Sequence, residues 1–197
     1  MPEDGYGWEK LFSERMCRHF REDFALITRV ARYHNVYGPY GTWTGGREKA
    51  PAAICRKVAE ATDGGTIEVW GDGRAIRSYT YVDDMVEGIY RLTQSSLRGP
   101  ANIGSPEYVS VAELVKTVAQ VAGKTIGVKY VEGPVGVQSR NFSNQRIYSI
   151  GWKARYSLRD GIARTYLWVL EQVHARRAGS RAAAGVSAAA GQGGVTP

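Results

Sequence analysis

The sequence predicts an α/β fold, on three observations. Stretches with helical spacing of apolar residues alternate with short, β-branched runs. Turn residues punctuate them, most plainly Gly71-Asp72-Gly73 and the loop from Pro39 to Gly46. Two capping boxes, Ser110 with Glu113 and Ser157 with Asp160, each precede an apolar helical stripe.

The elements follow in order. Residues 5–21 space Leu11, Met16 and Phe20 as on a helix. Phe24 to Val30 is a short apolar run ending in Val, read as a buried strand. After the loop, residues 50–62 are helical, with Pro51 tolerated in the first turn, where no backbone donor is needed. Thr66 to Trp70 and Ser78 to Val82 read as strands. A helix over about 83–95 carries Met85, Val86, Ile89 and Leu92. Asp83 and Asp84 open it, where carboxylates cap amides and favour the dipole. The helix begun at Ser110 stops at Gly123, and Ile126 to Val131 is a strand. The last helix aligns Leu158, Ile162, Tyr166, Val169 and Val173. From Arg177 the chain is Ala/Gly-rich with few large apolar side chains, which predicts a disordered tail over 177–197 after an ordered region over 1–176.

Composition narrows the function. The 197 residues carry 26 Lys+Arg against 19 Asp+Glu, a net charge of +7. Basic balance suits nucleic acid, an anionic membrane or a phosphorylated small molecule. The basic residues are scattered rather than gathered in a stripe, which favours the small molecule over nucleic acid. No apolar run approaches the ~20 residues of a membrane span. Met1-Pro2-Glu3-Asp4 has neither the basic nor the apolar region of a secretory signal. Cys17 and Cys55 lack metal-ligand spacing, as do His19, His34 and His174. The expectation is a cytoplasmic protein with no metal, and with neither nucleic acid nor membrane as partner.

Chemistry starts on the first helix. Tyr6 and Lys10 are four apart and share a face. The lysine ammonium favours a phenolate, so the pair can act as a base on a sugar hydroxyl. By itself the spacing also fits a surface tyrosine packed on a lysine stem. The runs Arg32-Tyr33-His34-Asn35-Val36-Tyr37-Gly38-Pro39, Arg77-Ser78-Tyr79-Thr80-Tyr81-Val82-Asp83-Asp84 and Asn102-Ile103-Gly104-Ser105 follow that helix in order. Together they resemble the NAD-dependent epimerase/dehydratase family, the extended short-chain dehydrogenases/reductases. The run from Gly41 to Ala53, with Cys55-Arg56-Lys57 and Gly136 to Asn141, resembles the branch acting on GDP-mannose at C3 and C5. The resemblance covers residues 3 to about 175.

The resemblance implies the C-terminal part of an extended Rossmann-type sugar-nucleotide epimerase that uses NAD. In this family the hexose C4 is oxidised, protons beside the ketone exchange, and hydride returns. Tyr6 would then be the C4 hydroxyl base, Lys10 would hold the nicotinamide ribose, and Lys49 would serve as acid/base in epimerisation. Asn35, Glu48, Ala50, Ala75 and Ile76 would line the substrate site, and Lys57, Arg77 and Arg140 would grip the nucleotide diphosphate. For Asn35, a turn residue before Gly38-Pro39 is an equal reading of the residues alone.

One departure is large. The family holds the dinucleotide on a Gly-rich turn in an N-terminal βαβ unit. No G-x-G-x-x-G follows a strand here, and no cysteine precedes the Tyr6 helix. The expectation is a catalytic half whose cofactor unit is absent or supplied by another chain, with a homodimer a further expectation. Two alternatives stay open: an inactive sugar-nucleotide-binding module, and another nucleoside-diphosphohexose epimerase or dehydratase.

Overall fold

A computed structural model describes residues 4–133 and 141–190, with side chains through Ser180. In chain order the elements are α1 (Gly5–Phe24), β1 (Ala31–Tyr33), β2 (Asn35–Tyr37), α2 (Ala50–Glu60), β3 (Thr66–Trp70), β4 (Ile76–Tyr81) and α3 (Val82–Gln94). Then come β5 (Ala101–Ile103), β6 (Tyr108–Ser110), α4 (Val111–Ala122), β7 (Gly127–Val131), α5 (Gln145–Tyr148) and α6 (Leu158–Ala190). The α/β class is as expected. The chain divides into two compact units: residues 1–36, 75–110 and 136–158, and residues 37–74, 111–135 and 159–197.

In the first unit, β1 and β5 pair in parallel, with Ala31 opposite Ala101 and Tyr33 opposite Ile103. This register brings two of the sequence motifs side by side. β4 pairs antiparallel with β6, Arg77 facing Val109 and Ser78 facing Tyr108, in a sheet ordered β2-β4-β6. Met85 and Leu92 of α3 pack with Ala101, Ile103, Ile147 and Trp152. Gly88 allows the close approach: a Cβ there would lie 2.6 Å from Ile103 Cγ2.

In the second unit, β3 and β7 pair in parallel from Thr66–Gly127 to Trp70–Val131. The buried faces are Ile54, Cys55 and Val58 on α2, Leu114 and Val118 on α4, and Ile162, Val169 and Val173 on α6. Each such aliphatic side chain contributes about 1.5–3 kcal/mol on burial. Lys124 closes the end of α2: its Nζ donates to the carbonyls of Val58 (2.8 Å) and Ala61 (2.7 Å), where the helix leaves acceptors unpaired. Burial pushes the Cys55 thiol up to about 12, so it packs as an apolar group.

Two expectations are corrected. Phe24 to Val30 is not a buried strand. The helix runs through Phe24 and is capped by Ala25 at φ 53°, while Leu26 and Ile27 are exposed and pairing begins only at Ala31. A short apolar run does not distinguish strand from helix end, and here no neighbouring strand pairs with it. Asp84 does not cap its own helix. The N-cap of α3 is Tyr81, and the Asp84 carboxylate accepts the amides of Arg155 and Tyr156 instead. Helix α6 continues through Ala190, in keeping with the high helix propensity of alanine. Among the described residues no helix is long and apolar enough to cross a membrane.

Candidate functional site

The candidate residues fall in both units. In the first, Tyr6 and Lys10 share the outer face of α1, with Nζ 5.0 Å from the Tyr6 ring centroid. Tyr6 is 68% exposed. The helix is set by Asp4, whose carboxylate accepts the Gly7 amide at 2.8 Å. None of the α1 residues is buried, and Phe12, Met16, Phe20 and Phe24 form an exposed row at four-residue spacing.

Asn35 stands at the start of β2, and its Nδ2 donates to the Ser78 carbonyl at 3.0 Å. That bond orients the amide and leaves its oxygen available to a ligand. Arg77 lies one residue before Ser78 on β4, its Nη1 donating to the Ile76 carbonyl at 2.8 Å. Ala75 is buried and Ile76 is 40% exposed. Arg140 lies outside the described residues.

In the second unit, Lys49 is the N-cap of α2 and Ala50 its first residue. The Lys49 side chain makes no capping bond, and its carbonyl accepts from Ala53 N at 3.0 Å. Glu48 is bonded within its own loop and to α2. Its Oε2 accepts the Gly46 amide at 2.7 Å and its Oε1 pairs with Arg56 Nη2 at 2.9 Å. Burial raises its pKa, but hydrogen bonds from its own amide, Arg56 and Gly46 outweigh that and hold the carboxyl below the usual range. Lys57 Nζ donates to the Glu68 carbonyl on β3 at 2.6 Å, which ties that ammonium to the sheet.

Sequence reasoning missed a buried polar cluster behind Asn35. His34 is 4% exposed and lies against Phe142, ring centroids 4.1 Å apart. Its Nδ1 is 3.2 Å from Ser78 Oγ, which itself donates to the Ser105 carbonyl at 2.7 Å. A hydroxyl has one proton, so the imidazole donates through Nδ1 and Nε2 is bare. Among the described residues Nε2 has no partner. The available signal was the pair of motifs: Gly104 follows the residue opposite Tyr33, and its lack of a side chain makes room for the imidazole.

Burial lowers the pKa of His34 and favours the neutral ring. The unfolded chain therefore takes up a proton first as pH falls, so the stability from the neutral ring is present above about pH 6.5 and declines on acidification. Urea midpoints at pH 8 and pH 5.5 are expected to differ less in His34→Gln than in the parent. An equal pH dependence in both would mean that His34 is not held neutral.

A profile of the NAD dependent epimerase/dehydratase family matches residues 1–104. The chain belongs to that family. It is 46% identical over 178 residues to GDP-mannose 3,5-epimerase of Arabidopsis thaliana, an alignment spanning 90% of this chain and 47% of that protein. Its fold superposes on UDP-glucose 4-epimerase of Thermotoga maritima, solved with UDP-glucose, at TM-score 0.78 and 25% identity, covering 85% of this chain and 54% of that one. The UDP-glucose 4-epimerase of Thermus thermophilus, solved with NAD, matches at TM-score 0.74 and 26% identity, covering 86% and 55%. The chain thus spans about half the length of the relatives it matches.

Proposed function

We propose that this chain carries the catalytic helix and the sugar-nucleotide residues of a cytoplasmic, NAD-dependent epimerase acting on GDP-mannose at C3 and C5. The observation that carries the reading is the 46% identity over 90% of the chain to a GDP-mannose 3,5-epimerase. Tyr6 and Lys10, exposed on one face of α1, suit the ribose end of NAD. The sequence has no Gly-rich strand-to-helix turn for the pyrophosphate, so in this reading residues of a further polypeptide segment hold that end. The exposed apolar row of α1 supports contact with such a segment. NAD, when bound, accepts and returns the C4 hydride.

The chain's own groups handle protons and binding. The deprotonated Tyr6 phenolic oxygen would take the C4 hydroxyl proton and become the phenol, and Lys10 would donate to the ribose. A C4 ketone makes the protons at C3 and C5 acidic, and Lys49, at the exposed start of α2, serves as one of the two acid/base groups that inversion requires. Asn35, fixed by Ser78, bonds a sugar hydroxyl. Arg77 and Arg140 grip the diphosphate through paired N–H groups.

Calorimetry with GDP-mannose on the 197-residue chain tests this. Loss of one charge-assisted bond costs about 1.5–3 kcal/mol. Arg77→Ala and Arg140→Ala are therefore each expected to weaken binding on the order of ten- to a hundredfold. Arg159→Ala, an exposed control, is expected to leave it unchanged. Equal affinities for all three would remove both arginines from the site. Binding of UDP-glucose in preference to GDP-mannose would reassign the substrate.

A further inference from the structure

The loop that leads into Lys49 is tied down by one side chain. Arg56, on α2, serves three acceptors at once. Its Nε donates to the Trp43 carbonyl at 3.2 Å, its Nη2 to Glu48 Oε1 at 2.9 Å and its Nη1 to Glu60 Oε2 at 3.0 Å. The Glu48 side chain is only 7% exposed, and its second oxygen accepts the Gly46 amide. Gly45 and Gly46 have φ of 95° and 83°, a conformation open to glycine that would be loose without such a tether. Two weaker ties reach α6: Arg176 Nη1 meets Thr44 Oγ1 at 3.2 Å, and the Tyr40 and Trp168 rings pack edge to face at 5.6 Å.

We propose that Arg56 is a positioning residue: acting through Glu48, it fixes the Trp43–Glu48 loop and so sets where Lys49 is presented. The inference rests on the reading of Lys49 as a sugar-site group. It assigns Glu48 to the loop rather than to the ligand. The planar guanidinium is required because its N–H groups diverge toward acceptors on the loop and the helix. A lysine ammonium is a single point that reaches fewer of them.

The test uses the 197-residue chain and two readouts. Amide exchange at Gly46 reports the loop, with Gly64, bonded to the Thr125 carbonyl at 2.9 Å, as the control in the same unit. Arg56→Gln is expected to speed Gly46 exchange at least tenfold while Gly64 stays within twofold, and Arg56→Lys to give a smaller rise. Calorimetry with GDP-mannose then asks whether Arg56 acts through Lys49. Arg56→Gln is expected to weaken binding several-fold in the parent and less than twofold in a Lys49→Ala background, because a shared route makes the two losses non-additive. Unchanged Gly46 exchange, or losses that multiply, would overturn the proposal. If the parent chain binds no GDP-mannose, the functional reading fails on its own, and Gly46 exchange alone decides the role of Arg56 in the loop. Should Arg56→Gln not fold, Arg56→Lys carries both readouts in the same directions.

Discussion

Gly104→Ala is expected to destabilise the chain by about 2–4 kcal/mol, read as a fall in the urea midpoint. The register that sets Tyr33 opposite Ile103 brings His34 alongside Gly104. A Cβ at Gly104 would lie 1.9 Å from His34 Nδ1 and 2.1 Å from its Cγ. The ring has little room to yield, with Phe142 against it and Ser78 Oγ 3.2 Å from Nδ1. The backbone is held as well, since the Gly104 carbonyl accepts Asn144 Nδ2 at 2.8 Å. Overpacking costs roughly 1–3 kcal/mol, and each hydrogen bond broken to relieve it about 1 kcal/mol more. Removing the ring should remove most of that penalty, so Gly104→Ala added to His34→Ala should cost less than about 1 kcal/mol further. A Gly104→Ala chain within ~0.5 kcal/mol of the parent would show that the two motifs do not meet as described.

What the sequence made legible was local. The helices α2, α3 and α4 and the strands β3 and β7 lie where periodicity, the Gly71-Asp72-Gly73 turn and Gly123 place them. Tyr6 and Lys10 were found because a four-residue step on a helix fixes a shared face. The three-residue strands β2, β5 and β6 carry too few residues to show a period, and their existence depends on partners far along the chain. The partners of Glu48 were hidden for a related reason. Arg56 sits eight residues on, in another element, and only the folded loop brings the two together. His34 has no metal-ligand spacing in the sequence, and in the fold it packs on Phe142 and meets Ser78, whose carbonyl holds Asn35. Asp84 illustrates the same limit, since its position near a helix start gave no hint of the segment it binds.

Asp84→Ala is expected to cost about 2–4 kcal/mol, from on the order of 1–3 kcal/mol for each amide that loses its charged acceptor. The side chain is buried at 1% exposure. Oδ1 and Oδ2 each lie 3.0 Å from the Arg155 amide, and Oδ2 also accepts the Tyr156 amide at 3.0 Å. The Arg155 guanidinium is 3.8 Å away but its side chain is 69% exposed, so the backbone amides are the main compensation for the carboxylate charge. The main chain at Asp84 contributes too, its carbonyl accepting Trp152 Nε1 at 3.0 Å. Residue 84 thus pins residues 152–156, the stretch that leads into α6. Alanine leaves two amides without their acceptor. Asparagine keeps one oxygen and the shape, so Asp84→Asn is expected to lose roughly half as much as Asp84→Ala. Asp83→Ala is the control: that carboxylate is exposed in the first turn of α3, where its interaction with the helix dipole contributes about 0.3–1 kcal/mol. Urea unfolding of the three variants gives the order. Equal losses for Asp83→Ala and Asp84→Ala would mean that both act only on the helix dipole, and the tie to Arg155 and Tyr156 would contribute nothing.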